Sequence, residues 1–130
     1  MKWKKLNNLI TARLSHCSAL LGDMIVVIGG RNDEDLDTIE YLPLNNLDST
    51  WKFANNKFPE RIVGHACVNS PDRSFLVVTG GQTRESPDSI PLHYNSVWIV
   101  KKDFTVKQLQ VSLPSERSFH KMELFPGKCV

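Results

Sequence analysis

Three times along the chain an arginine stands shortly before a histidine: Arg13-Leu-Ser-His16, Arg61-Ile-Val-Gly-His65 and Arg117-Ser-Phe-His120. Three imidazoles are enough ligands for a catalytic zinc ion, and a guanidinium fork can hold a carboxylate through two parallel bonds. Cys17 and Cys67 follow the first two histidines by one and two residues, so thiol and imidazole are neighbours in sequence. Asp33-Glu34-Asp35-Leu36-Asp37 gathers carboxylates, but without the D-x-[DN]-x-[DN]-G spacing and terminal glutamate of a calcium loop. The histidines recur at matching places in a repeat, which favours a repeated structural hydrogen bond over a metal triad. The cysteines fall on expected buried strands, where a free thiol acts as a small apolar side chain. The acidic run reads as a solvated loop. No catalytic residue, metal or cofactor is expected.

The repeat itself is explicit. Met24-Ile-Val-Val-Ile-Gly29-Gly30 matches Phe75-Leu-Val-Val-Thr-Gly80-Gly81, an apolar run closed by a glycine pair, 51 residues apart. Trp3 precedes His16 by 13 residues and Trp51 precedes His65 by 14. The order tryptophan, arginine, histidine, apolar run, glycine pair therefore occurs twice, and a third copy opens at Arg117.

Each copy reads as four short strands, expected at 15–21, 24–29, 38–43 and 50–54, then at 64–69, 74–80, 93–101 and 105–111. Helical spacing is absent, and Pro43, Pro59, Pro71, Pro87, Pro91, Pro114 and Pro126 fall at strand ends or in loops. Glycine suits the end of the second strand, where a backbone at positive φ leaves the sheet. Trp3, Trp51 and Trp98 are expected between neighbouring sheets, and one left without a neighbour would mark an association surface. Residues 82–92 form the longest loop, Arg84 among them, a natural seat of partner specificity.

Taken together, these features resemble the kelch motif from Trp3 to Leu124. The resemblance implies an all-β fold, a kelch-type β-propeller fragment of two four-stranded antiparallel blades with a flanking strand at each end. Residues 1–12 would be the terminal strand of a preceding blade, 13–60 the first repeat, 61–116 the second, and 117–130 the start of a third. Two blades cannot close a ring, so the chain reads as a fragment, a truncated product or one partner of an assembly. By analogy with kelch domains that bind acidic peptides, the partner-binding residues would be Arg13, Arg31, Asn32, Arg61, Gln82, Arg84 and Arg117. The alternative for the blade-opening arginines is that each braces its own turn through backbone carbonyls.

The implied function is a non-catalytic protein-interaction module, an adaptor or scaffold that holds a protein with an acidic segment or associates with itself to complete a propeller. The alternatives are a sugar-epimerase-like enzyme, for which Glu60, Arg61 and Glu116 are the available side chains, and a remnant without function of its own. A copper oxidase lacks its Tyr/His/Cys set. Sixteen basic and fourteen acidic residues leave a formal charge of +2 with no basic stripe, which speaks against nucleic acid as a partner. No run approaches the roughly 20 apolar residues of a membrane span. Asn7, Asn8, Thr11 and Arg13 interrupt what would be a signal peptide's apolar region. An odd, sparse set of cysteines suits a reducing compartment, so the expected location is cytoplasmic.

Overall fold

The computed structural model describes residues 3–86 and 88–122. Only the first part of the expected third repeat, residues 117–122, is therefore described, and Cys129 lies outside. Among the described residues ten strands run in order: β1 Cys17–Leu21, β2 Met24–Ile28, β3 Ile39–Pro43, β4 Lys52–Phe53, β5 Ala66–Asn69, β6 Phe75–Thr79, β7 Gln82–Thr83, β8 Leu92–His93, β9 Ser96–Lys101 and β10 Val106–Ser112. A 3-10 turn, Leu44–Asn46, lies between β3 and β4. The fold is all-β, with two four-stranded antiparallel sheets in the orders β1-β2-β3-β4 (sheet I) and β5-β6-β9-β10 (sheet II). Among the described residues no helix is long and apolar enough to cross a membrane.

Two strand expectations need correction: the described residues 3–12, expected as the terminal strand of a preceding blade, form no strand, since the first begins at Cys17. Residues 82–92 are not simply a loop: Gln82 and Thr83 pair with His93 and Leu92 in a short hairpin, β7–β8. Leu92 and His93 are thereby drawn away from the third strand, which starts at Ser96 rather than at 93, and Tyr94 stands ahead of it with its N–H on Gly81 O.

Alternation along the strands sorts the core. On sheet I, Cys17, Leu21, Val26, Ile28 and Ile39 face sheet II; on sheet II, Leu76, Val78, Trp98 and Val100 face back, and these residues form one buried cluster. Phe58, in the linker between the sheets, meets Trp98 edge-on with ring centroids 5.2 Å apart. Each such side chain contributes on the order of 1.5–3 kcal/mol by leaving water. Val27 and Leu42 point the other way on sheet I and are roofed by Trp51 and by Leu6 and Leu9 of the N-terminal segment.

The glycine pairs are where one repeat receives the next. Gly29, Gly30, Gly80 and Gly81 all have positive φ. A Cβ on Gly29 would run into the backbone oxygen of Ile62, and one on Gly80 into that of Arg117. Correspondingly, Gly30 donates to Ile62 O (2.9 Å) and Gly81 to Arg117 O (2.8 Å). The two glycine pairs thus occupy equivalent places, each closed by the arm that precedes the following histidine. The residue before each histidine, Ser15, Gly64 and Phe119, is also left-handed, and their backbones bond in series: Gly64 N–H to Ser15 O and Phe119 N–H to Gly64 O.

The cysteines differ from the free thiols expected: Cys17 and Cys67 form a disulfide between β1 and β5, with Cα atoms 5.9 Å apart. The physical reason lies in strand periodicity. Cys17 comes one residue after its histidine and Cys67 two, so they point to opposite faces of equivalent strands. Because the sheets stack in the same sense, opposite faces are the ones that meet.

Candidate functional site

The loops that follow the two glycine pairs come together at one end of the sheets around Asp35. Its carboxylate is buried, with 3% of the residue exposed. Oδ1 receives Arg31 Nε at 2.7 Å, and Oδ2 receives Thr83 Oγ1 at 3.1 Å and the Arg84 N–H at 2.7 Å. One aspartate therefore ties the loop after Gly30 to the loop after Gly81. Between them opens a groove of about 420 Å3 lined by Arg31, Asn32, Asp33, Glu34, Asp35, Arg61, Arg84, Glu85 and Ser86.

A second hollow of about 390 Å3 continues from it, sharing Arg61, Arg84 and Glu85 and adding Glu60, Thr83 and Tyr94. Two of its polar atoms, Arg84 Nε and Glu60 Oε2, are buried without a hydrogen-bond partner among the described residues. Burial pushes the Glu60 carboxyl above its ordinary range. The Tyr94 phenol is pushed up to about 12, first by burial and then by the charges of Glu60 and Asp35, with the Thr83 hydrogen bond pulling the other way. Tyr94 is thus a neutral hydroxyl at physiological pH. Buried groups with unmet hydrogen-bonding capacity carry a desolvation cost that a ligand making those bonds would relieve.

The seven residues singled out from sequence divide into three groups. Arg31, Asn32, Arg61 and Arg84 line the groove. Within it, Arg31 is engaged by Asp35, and Asn32 shapes its loop by accepting the N–H of Asp33 at 2.6 Å. Arg61 is 52% exposed and 3.6 Å from Glu34. Gln82 and Arg117 sit apart from it. Gln82 Oε1 accepts Ser118 Oγ at 3.2 Å, and Arg117 lies exposed with Nη2 on Ser115 Oγ at 2.9 Å.

Arg13 is not available to a partner. Its side chain is 0% exposed, as is that of Glu40, and Nη2 meets Glu40 Oε2 at 2.6 Å. Nη1 donates to Gly29 O at 2.8 Å and Thr38 O at 3.1 Å, so this arginine braces its own turn through carbonyls. Glu40 also accepts the N–H groups of Ile10 and Thr11, which fastens the N-terminal segment to sheet I. Asp35 and Glu40, the two carboxylates on which the arrangement turns, were not foreseen; Glu40's only sequence signal is a charge amid the apolar strand Ile39–Pro43.

Two of the histidines hold strand ends by hydrogen bonds. His65 Nε2 bonds Ile28 O at 2.9 Å and His120 Nε2 bonds Thr79 Oγ1 at 2.8 Å, at equivalent ends of β2 and β6. Burial drives His65 down to about 4, against the opposing effect of its bond to Ile28. Among the described residues no cluster of three or more His, Cys, Asp or Glu could hold a metal ion. Of the epimerase candidates, Glu60 and Arg61 share a hollow and Glu116 does not line it.

No family model matches the chain, and no curated protein matches it by sequence. Among solved structures it is similar to YjhT, with a TM-score of 0.72 at 16% sequence identity over 94% of this chain and 34% of that one. At that identity the likeness concerns the fold, and the chain spans about a third of YjhT's length.

Proposed function

We propose that the chain carries two kelch-type repeats of a β-propeller and works as a protein-interaction module without chemistry of its own, gripping a partner in the groove around Arg61 and Arg84. The observation that carries this reading is the buried Arg84 Nε, a donor without a partner among the described residues, beside an Arg61 that is held only at 3.6 Å by Glu34. Equivalent glycine pairs and the stacking of two like sheets support the kelch assignment. Asp33, Glu34 and Glu85 rim the same groove, so a uniformly acidic strand would be repelled. The fitting segment carries one carboxylate for Arg84 and Arg61, flanked by neutral or basic side chains.

A cytoplasmic location, which free thiols would favour, loses that support once Cys17 and Cys67 are paired. The binding test is fluorescence polarisation with peptides bearing a single Asp or Glu among neutral and basic residues. Arg84→Ala should weaken the best binder by about tenfold or more, the scale of a lost charge-assisted bond. Equal binding by wild type and Arg84→Ala would remove the groove as the site.

A further inference from the structure

Trp3 is 93% exposed, although it stands in the same sequence setting as the buried Trp51. It is not adrift: Lys4 Nζ pairs with Asp48 at 2.9 Å, and Asn7 Nδ2 donates to the carbonyls of Asp48 and Ser49 at 2.9 Å each. Lys4 and Asn7 therefore tie the segment that follows Trp3 to the β3–β4 turn of sheet I. On sheet II the corresponding turn, between β9 and β10, carries Phe104, and that ring is buried against Tyr41 of sheet I at a centroid distance of 5.2 Å. Asn56 Nδ2 reinforces the contact by donating to Phe104 O at 3.0 Å. Sheet I receives an aromatic plug from sheet II, and near the corresponding turn of sheet I the chain displays the exposed Trp3.

The receiving surface is also duplicated. Val26 pairs with Tyr41 and Val77 with Ile99, at equal distances before their glycine pairs, so Ile99 holds the place on sheet II that Tyr41 holds on sheet I, and Phe75 that of Met24. Phe75 and Ile99, with Ser74, Lys101, Lys102 and Asp103, line a hollow of about 510 Å3 on the outer face of sheet II. It is the counterpart of the seat that Phe104 fills, and it is large enough for an indole. The two lysines at its rim suit an aromatic ring, because an ammonium group is attracted to the face of an indole. The inner end of this face is taken by the chain's own Arg117–His120, which closes Gly80; among the described residues nothing fills the outer hollow.

We propose that a second copy of this chain docks on the first head to tail, inserting its Trp3 between Phe75 and Ile99. The interface repeats the one already built between sheets I and II, with its plug at one end of the molecule and its socket at the other. It is heterologous, so a docked pair keeps one free plug and one free socket, and the assembly grows beyond a dimer unless it closes into a ring. The inference is independent of the groove around Arg84.

Sedimentation velocity on the full chain, from low to high micromolar concentration, tests it. Wild type should form dimers and larger species. Trp3→Ala, which touches a side chain already in water and so spares folding, should weaken association about 30-fold, the scale of an aromatic anchor. Phe75→Asp and Ile99→Asp should do the same, with circular dichroism checking that they fold. A mixture of Trp3→Ala with Ile99→Asp should recover dimers and nothing larger, because one variant keeps its socket and the other its plug. A monomer at every concentration, wild-type association by Trp3→Ala, or a mixture that stays monomeric would each overturn the proposal.

Discussion

The two sheets fill one equivalent position in opposite ways. Three residues before its histidine, the first repeat has Arg13 and the second has Ile62; across from them, paired with Val27 and Val78, stand Glu40 and Trp98. Sheet I buries a charged pair where sheet II buries an aliphatic and an aromatic side chain, and all four residues are at most 6% exposed or have fully buried side chains. Apolar burial gains from leaving water and asks for no partner. A buried ion pair must recover the desolvation of both charges, which Arg13 and Glu40 do in large part by satisfying Gly29 O, Thr38 O and the N–H groups of Ile10 and Thr11, with Arg13 Nε left without a partner among the described residues. The polar solution on sheet I thereby fastens the N-terminal segment. The apolar one on sheet II instead joins two sheets.

That difference predicts unequal consequences of breaking each. Glu40→Ala strands the Arg13 guanidinium in the interior together with two backbone donors. The expected loss is about 3–5 kcal/mol in urea unfolding. Replacing both partners, Arg13→Met with Glu40→Leu, should recover part of that loss, since no charge is left buried alone and what goes unmet is neutral: the N–H groups of Ile10 and Thr11, Gly29 O and Thr38 Oγ1. If the double variant proves less stable than Glu40→Ala, the pair contributes through something other than mutual charge compensation.

The histidines extend the comparison to pH. His65 is wedged between the sheets and held down to about 4 by burial, whereas His16 and His120 are lowered from a shallower setting. A folded-state value below the unfolded one of about 6.5 means that the unfolded chain takes up the proton first. Stability is then complete above pH 6.5 and is lost as pH falls toward 4. The loss attributable to His65 is up to about 3 kcal/mol at the acid end. Thermal melts between pH 7 and pH 5, where most carboxylates stay ionised, should show a slope that His65→Asn reduces. An unchanged slope in that variant would assign the dependence to the other two histidines.

Much of this architecture was readable in the chain. The apolar runs ending in glycine pairs fixed the second strand of each sheet to within a residue, because an alternating buried strand and a positive-φ exit leave few alternatives. The hairpin β7–β8 was not readable: Gln82-Thr83 and Leu92-His93 are too short to carry a period. The disulfide was not readable, because the one-residue difference in distance from the histidine places Cys17 and Cys67 on opposite faces but only the stacking of the sheets brings those faces together. In the groove, four of the seven residues proposed from sequence converge, while Asp35, which organises them, looked like one carboxylate among several in a solvated run.

Arg61 shows most clearly how a single residue alters a role. By order in the sequence it matches Arg13, but the second arm, Arg61-Ile-Val-Gly-His65, has one more residue between arginine and histidine than the first. Counting back from the histidine, which the glycine pairs hold in register, Ile62 takes the buried place and Arg61 is moved out to solvent at 52% exposure. Its ion pair with the exposed Glu34 is long and screened by water, so Arg61→Ala should change unfolding free energy by less than about 0.5 kcal/mol. The same substitution at Arg13 should cost several kcal/mol on the scale given above for Glu40. Equal losses at the two arginines, measured side by side by urea unfolding, would mean that the extra residue does not shift the register of the second arm. The division between a structural arginine on sheet I and a free one at the groove would then fail.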